Sequence, residues 1–194
     1  MIKRIAVLAS GNGSNAERIT TYFRGIETVK VVAFLSNKKM AKVLDRAEEL
    51  SIPAFYFTKK AFFGSDSVLR LLQALDLDMI VLAGFLWKIP LDMVSAFPGK
   101  IINLHPALLP KYGGKGMYGN RVHQAVKDNG EQETGITIHY VNENYDEGAI
   151  IHQAKVTIEP AFSVETIAQK VHELEYAHFP KIIEKLLNLQ NGKN

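Results

Sequence analysis

The 194-residue sequence contains no cysteine and a single tryptophan. Without thiols it can carry no disulfide framework, no cysteine nucleophile and no thiolate-bound zinc, and it is compatible with a reducing compartment. Long apolar runs are missing as well. The first, Ile5 to Ala9, is closed by Ser10-Gly11-Asn12-Gly13 and is shorter than the core of a secretory signal; no run approaches the roughly 20 residues of a membrane span. Nor does one sign of charge dominate. The 23 basic and 20 acidic residues give +3 and are scattered, which is weak evidence for nucleic acid and mild encouragement for an anionic small molecule. Internal repeats and low-complexity linkers are also lacking. The chain reads as one domain over residues 1–190 with a disordered tail at 191–194, large enough to bury about 70% of its unfolded surface.

What is present is an alternation of strand-like and helix-like segments, which predicts an α/β domain with a mostly parallel sheet. Strands are expected at Ile5–Ala9, Val29–Ser36, Ala54–Phe57, Met79–Gly84, Ile101–Leu104, Gly135–Asn142 and Ala149–Ile158. The first, second and fourth are nearly all apolar, as for strands covered on both faces. Helical spacing recurs at Asn15–Phe23, Met40–Leu50 and Ser67–Leu75, the expected crossover helices. The last two strands alternate in character around Asp146-Glu147-Gly148 and predict an antiparallel hairpin joined to the sheet. A long helix over Ser163–Leu189 closes the chain, with Pro180 expected to kink or divide it.

Three stretches could carry chemistry. In Ile101–Gly116 (IINLHPALLPKYGGKG) Asn103 and His105 alternate with apolar residues, so both leave the same side of a strand end; Pro106 then stops the ladder. The loop Ser10–Asn15 joins a buried strand to a helix start. It is either a phosphate cradle, using unpaired N–H groups and the positive end of the helix, or a tight turn with a Ser14 or Asn15 cap. It matches neither GxGxxG nor a Walker motif, and Ser36-Asn37-Lys38-Lys39 lacks the acidic residue that a nicotinamide enzyme wants after its second strand. In Thr134–Gly148 (TGITIHYVNENYDEG) Asp146 follows a strand bearing His139. Taken singly, an acidic turn residue or a strand histidine is usually structural. Asn103, His105 and Asp146 together offer a donor, a protonatable ring and a carboxylate, which acyl transfer to an amine requires without any serine or cysteine nucleophile.

With GNGSN at 11–15, LAGFLWKIP at 82–90, INLHPALLPKYGGKG at 102–116 and GITIHYVNENYDEG at 135–148, nearly the whole sequence resembles the phosphoribosylglycinamide formyltransferase family of the folate-dependent formyltransferase superfamily. The resemblance implies a Rossmann-like domain: a seven-stranded, mostly parallel sheet with an antiparallel C-terminal hairpin, helices on both faces and a long C-terminal helix. It implies an enzyme of purine synthesis that moves a formyl group from 10-formyltetrahydrofolate to the amine of glycinamide ribonucleotide, with no metal. Asn103 would bond the formyl oxygen, His105 would act as general acid, and Asp146 would keep that imidazole charged and pass on the amine's proton through water. Gly13, Ser14 and Asn15 would hold the phosphate, and Glu175, with His172, Glu173 and Leu174 beside it, the glycinamide end. The pterin would lie against Leu86, Trp87, Lys88 and Ile89 and the turn Asn142, Glu143, Asn144, Tyr145 and Asp146, with His139 in support.

There are departures. Trp87 stands where many relatives have arginine, Ser65 where an arginine often meets the folate's glutamate tail, and the Lys111–Arg121 loop is longer than the usual version. Alternatives are formyltetrahydrofolate deformylase, with water as acceptor, methionyl-tRNA formyltransferase, which carries an added C-terminal nucleic-acid-binding domain, or a nucleotide-binding module without catalysis. The favoured expectation is a cytoplasmic enzyme, monomer or weak homodimer, acting on small molecules and binding neither nucleic acid nor membrane.

Overall fold

A computed structural model of the chain describes residues 1–189; the tail expected at 191–194 lies outside them. Seven strands form one sheet: β1 (Lys3–Leu8), β2 (Val29–Ser36), β3 (Ala54–Tyr56), β4 (Met79–Leu82), β5 (Ile101–His105), β6 (Glu133–Tyr140) and β7 (Ile150–Thr157), in the order β3-β2-β1-β4-β5-β6-β7. Pairing is parallel from β3 through β5 and antiparallel for β5–β6 and β6–β7. Helices α1 (Ser14–Phe23), α2 (Lys42–Glu49) and α4 (Ser67–Ala74) fill the crossovers read from the sequence.

Alternation along β1 decides the layering. Ile5 and Val7 point to the face covered by α1, α2 and the C-terminal helix, where they meet Ile19, Phe34, Val43 and Phe179. Ala6 and Leu8 point to the other face and pack with Phe62, Leu72, Ile80 and Met93. Both faces are therefore apolar, which is why β1 and β4 read as unbroken hydrophobic runs.

Three short helices escape the sequence reading: α3 (Lys59–Phe63), α5 (Leu91–Ala96) and α6 (Asn120–Asp128). The first two span five and six residues, too few for a repeating apolar stripe. In α6 the stripe is Val122 and Val126, one helical turn apart and buried with Ala107, Ile158 and Ile167. It opens inside the loop expected to run through Arg121.

The final helix, α7 (Val164–Leu189), runs unbroken through Pro180, against the expected division. Proline leaves the carbonyl four residues earlier without its N–H partner. Here Arg18 Nε donates to that Tyr176 carbonyl at 3.4 Å. Pro180 and Phe179 are themselves buried, so packing against the sheet outweighs the missing bond. This places the α1-facing side of α7, including Glu175, beside the loop after β1.

Candidate active site

The chain leaves β1 for β2 on one side and returns through β4 on the other. At such a switch point the loops after neighbouring strands diverge and open a crevice at their carboxyl ends. Ser10 N–H donates to the Gly84 carbonyl at 3.0 Å, and Leu86 N–H to Ser10 Oγ at 2.9 Å, so the loops after β1 and β4 are joined at its floor. The resulting cleft has a volume of about 600 Å³.

Gly13 caps α1 with φ 78°, in the left-handed region. A Cβ there would lie 2.6 Å from Val43 Cβ and 2.7 Å from its Cα. Arg46 of α2 donates to the Asn12 carbonyl at 2.8 Å and to Asn12 Oδ1 at 2.7 Å, and also pairs with Glu17. The loop is thus clamped at the wall of the cleft. Gly13→Ala combines a left-handed dihedral with a close backbone approach, and it is expected to lower stability by about 1–3 kcal/mol. A fall in the urea midpoint with unchanged slope checks this; an unchanged midpoint counts against the clamp.

At the other end stand the three side chains singled out above. Asn103 and His105, one pleat apart on β5, both line the cleft. Asp146 sits in the β6–β7 connection with φ 56°. His105 Nδ1 lies 3.6 Å from Asp146 Oδ2, and His105 Nε2 lies 2.7 Å from the Tyr112 carbonyl. Asn103 Nδ2 donates to Asp146 Oδ1 at 3.3 Å and lies 3.0 Å from His139 Nε2. His139 Nδ1 is 2.8 Å from the Tyr140 carbonyl, so that nitrogen carries a proton. Gly114 N–H donates to Asp146 Oδ2 at 2.9 Å.

Electrostatics follow from this packing. Burial alone would push Asp146 up, but the His139 and His105 rings and the Gly114 N–H together pull it below the usual carboxylate range. Burial pushes His105 below its ordinary value, outweighing the Asp146 carboxylate and the Tyr112 carbonyl, which pull the other way. The direction runs against the sequence expectation of a charged imidazole. Its cause is that His105 is only 3% exposed.

Glu175 of α7 is buried, accepts from Asn15 Nδ2 at 2.8 Å and lies 3.9 Å from His172 Nε2. Burial raises its carboxyl above the usual range, against the Asn15 amide and His172. Gly13, Ser14, Asn15, Leu86, Tyr145, His172 and Glu175 all line the cleft.

Other expected residues point elsewhere. Trp87 packs into an aromatic cluster with Phe57, Phe62, Phe63 and Phe85, at ring separations of 5.5–6.3 Å. Ile89 is buried in the core on one face of the sheet, and Leu174 packs against the core on the other. Glu173 is exposed and accepts from Gln169. Asn142, Glu143 and Asn144 form a local turn in which Asn142 Oδ1 accepts from Asn144 N–H; with Lys88 they stand outside the cleft lining, and His139 lies behind Asp146.

The cleft also takes Lys38, Lys115, Arg121 and His123, which sequence reasoning missed. Lys38 directly follows Ser36-Asn37 at a strand end, a signal used above only to argue against a dehydrogenase. His123 lies on the unrecognised α6; burial pushes it down to about 4, with the His172 and His105 rings adding to the effect. Among the described residues, no group of three or more His, Asp or Glu is placed to hold a metal ion, and no helix is long and apolar enough to cross a membrane.

Residues 3–183 match the Formyl transferase family. The chain is 38% identical over 195 residues to phosphoribosylglycinamide formyltransferase of Bacillus subtilis, covering 98% of this chain and 97% of that one. It is 39% identical over 188 residues to the protein of the same name from Haemophilus influenzae, covering 94% and 86%. Among solved structures, glycinamide ribonucleotide transformylase 1 from Geobacillus kaustophilus superposes with a TM-score of 0.87 at 34% identity, covering 96% of this chain and all of that one. The chain therefore belongs to the formyl transferase family, and its similarity runs to that family's phosphoribosylglycinamide formyltransferases.

Proposed function

We propose that this protein transfers the formyl group of 10-formyltetrahydrofolate to the primary amine of glycinamide ribonucleotide, a step of purine synthesis. The observation that carries the reading is the convergence, in one cleft, of Asn103, His105 and Asp146 at one end and the clamped Gly13–Asn15 loop at the other. The helix-start N–H groups suit a phosphate, with Lys38 on the same wall. Phe85, Leu86 and Tyr145 offer a flat pteridine ring an apolar side.

The amine attacks the formyl carbon directly, and the carbonyl electron pair moves onto oxygen. Asn103 meets that oxygen by exchanging its longer, 3.3 Å bond to Asp146. Burial disfavours the charged form of His105 at rest. Negative charge developing beside it raises its proton affinity, so the charged ring is favoured in the transition state rather than before it. Asp146, through water, takes the proton the amine sheds. That proton passes from Asp146 to the His105 ring, and collapse of the tetrahedral species breaks the bond to the folate nitrogen, which takes up the same proton. No covalent enzyme intermediate forms. The same reading makes this a cytoplasmic enzyme of small molecules, a monomer or weak homodimer without nucleic acid.

The test is release of tetrahydrofolate with and without ribonucleotide. Release that depends on ribonucleotide is expected; equal release in its absence, with formate as product, assigns water as acceptor and rejects the transferase.

A further inference from the structure

The segment after Pro110 reaches the catalytic pair with its backbone. The Tyr112 carbonyl lies 2.7 Å from His105 Nε2 while the Gly114 N–H binds Asp146. A carbonyl can only accept, so Nε2 carries a hydrogen. The neutral ring then keeps its lone pair on Nδ1, the nitrogen facing Asp146.

Tyr112 achieves this with φ 57°, a conformation that costs a non-glycine residue on the order of 1 kcal/mol. What holds it sits at the far end of its side chain. The phenol donates to Glu131 Oε1 at 2.8 Å and accepts from Asn129 Nδ2 at 3.0 Å, and Lys111 Nζ pairs with the same carboxylate oxygen at 2.8 Å. Asn129 is the C-terminal cap of α6, and Glu131 N–H donates to the carbonyl of Val126 within it. The anchor is thus fixed to a packed helix. On the other side, Gly113 approaches so closely that a Cβ would lie 2.6 Å from Leu109 Cδ2 and 3.3 Å from Asp146 Cβ.

We propose that Tyr112 is a positioning residue for His105: its phenol, gripped by Glu131 and Asn129, holds a left-handed turn that aims its carbonyl at Nε2 and leaves Nδ1 as the nitrogen that takes and gives the proton. The catalytic consequence rests on the formyl-transfer reading; the geometry does not. Asp146 faces Nδ1, and His139 and His123 lie near enough to act on the ring's charge, so the Tyr112 carbonyl is the group that distinguishes Nε2.

Nitrogen-15 NMR of histidine-labelled protein reads tautomer and titration without any turnover. The neutral His105 of the wild type is expected to hold its proton on Nε2. Tyr112→Phe frees the turn from its anchor, so the Tyr112 carbonyl is no longer held on Nε2, the tautomers mix and the ring's titration midpoint falls. It reduces kcat roughly tenfold with both KM values within about twofold. Glu131→Ala, at the rim, reproduces these changes and serves where Tyr112→Phe folds poorly. Glu131→Gln keeps an oxygen for the phenol and retains the wild-type pH profile, and Lys111→Met, which removes only the ion pair, leaves it unaltered. A wild-type Nδ1–H tautomer, or an unchanged His105 titration in Tyr112→Phe, overturns the proposal. Were the wild type to transfer no formyl group, the functional reading would fall while the tautomer measurements still decided the role of Tyr112.

Discussion

Replacing His105 by alanine is expected to lower formyl-transfer turnover by about 10²–10⁴-fold, the range for removing a positioned acid or base. Ribonucleotide KM should move little, because the loop that suits its phosphate is held by Arg46 and not by His105. His105 is nearly fully buried, so the substitution also leaves a void and removes the bond to the Tyr112 carbonyl. His105→Asn, which keeps polar atoms at the site, separates the two effects. Both variants should lose activity, and the asparagine variant should keep the wild-type thermal midpoint more closely. A kcat within about threefold of wild type in a folded variant would remove His105 from the mechanism.

Asp146→Asn should cost roughly 10²–10³-fold in kcat, and its signature is the pH profile. The Asp146 carboxylate raises the proton affinity of His105, against burial. Removing the charge lowers the ring's midpoint further, so the limb of the profile that reports His105 protonation moves to lower pH. Stability follows the opposite group. Asp146 is depressed in the folded state, so it contributes stability above its unfolded value near 3.9 that is lost as pH falls through the folded one. The stability difference between wild type and Asp146→Asn should therefore be present at pH 7 and shrink in acid. A uniform loss of rate at every pH, with no displaced limb, counts against the coupling of the two residues.

The parallel sheet and its crossovers were legible because strands buried on both faces carry little except aliphatic side chains; Ile5–Leu8 and Met79–Leu82 have no other reading. The candidate catalytic side chains were legible for a related reason: Asn103 and His105 interrupt such a run, one pleat apart. The α6 helix was hidden because its apolar stripe is two valines, Val122 and Val126, and with it His123 was missed. The aromatic packing of Trp87 was harder to read, because an apolar stretch after a strand does not say which alternate residues turn to the cleft. Leu86 does, while Trp87 joins Phe57 and Phe62. The downward push on His105 could not be read either, since it comes from the burial of the ring. Pro180 shows the limit of a local rule: its orphaned carbonyl is served by Arg18, 158 positions away from Tyr176 in sequence.

Direct attack by the amine is the centre of this account, and a single-turnover experiment with a labelled formyl group on the folate tests it most directly. Label should pass from folate to the ribonucleotide amine in step with release of tetrahydrofolate, and none should be found on quenched protein at any time. Label appearing first on the protein, or leaving as formate while ribonucleotide is present, would contradict it.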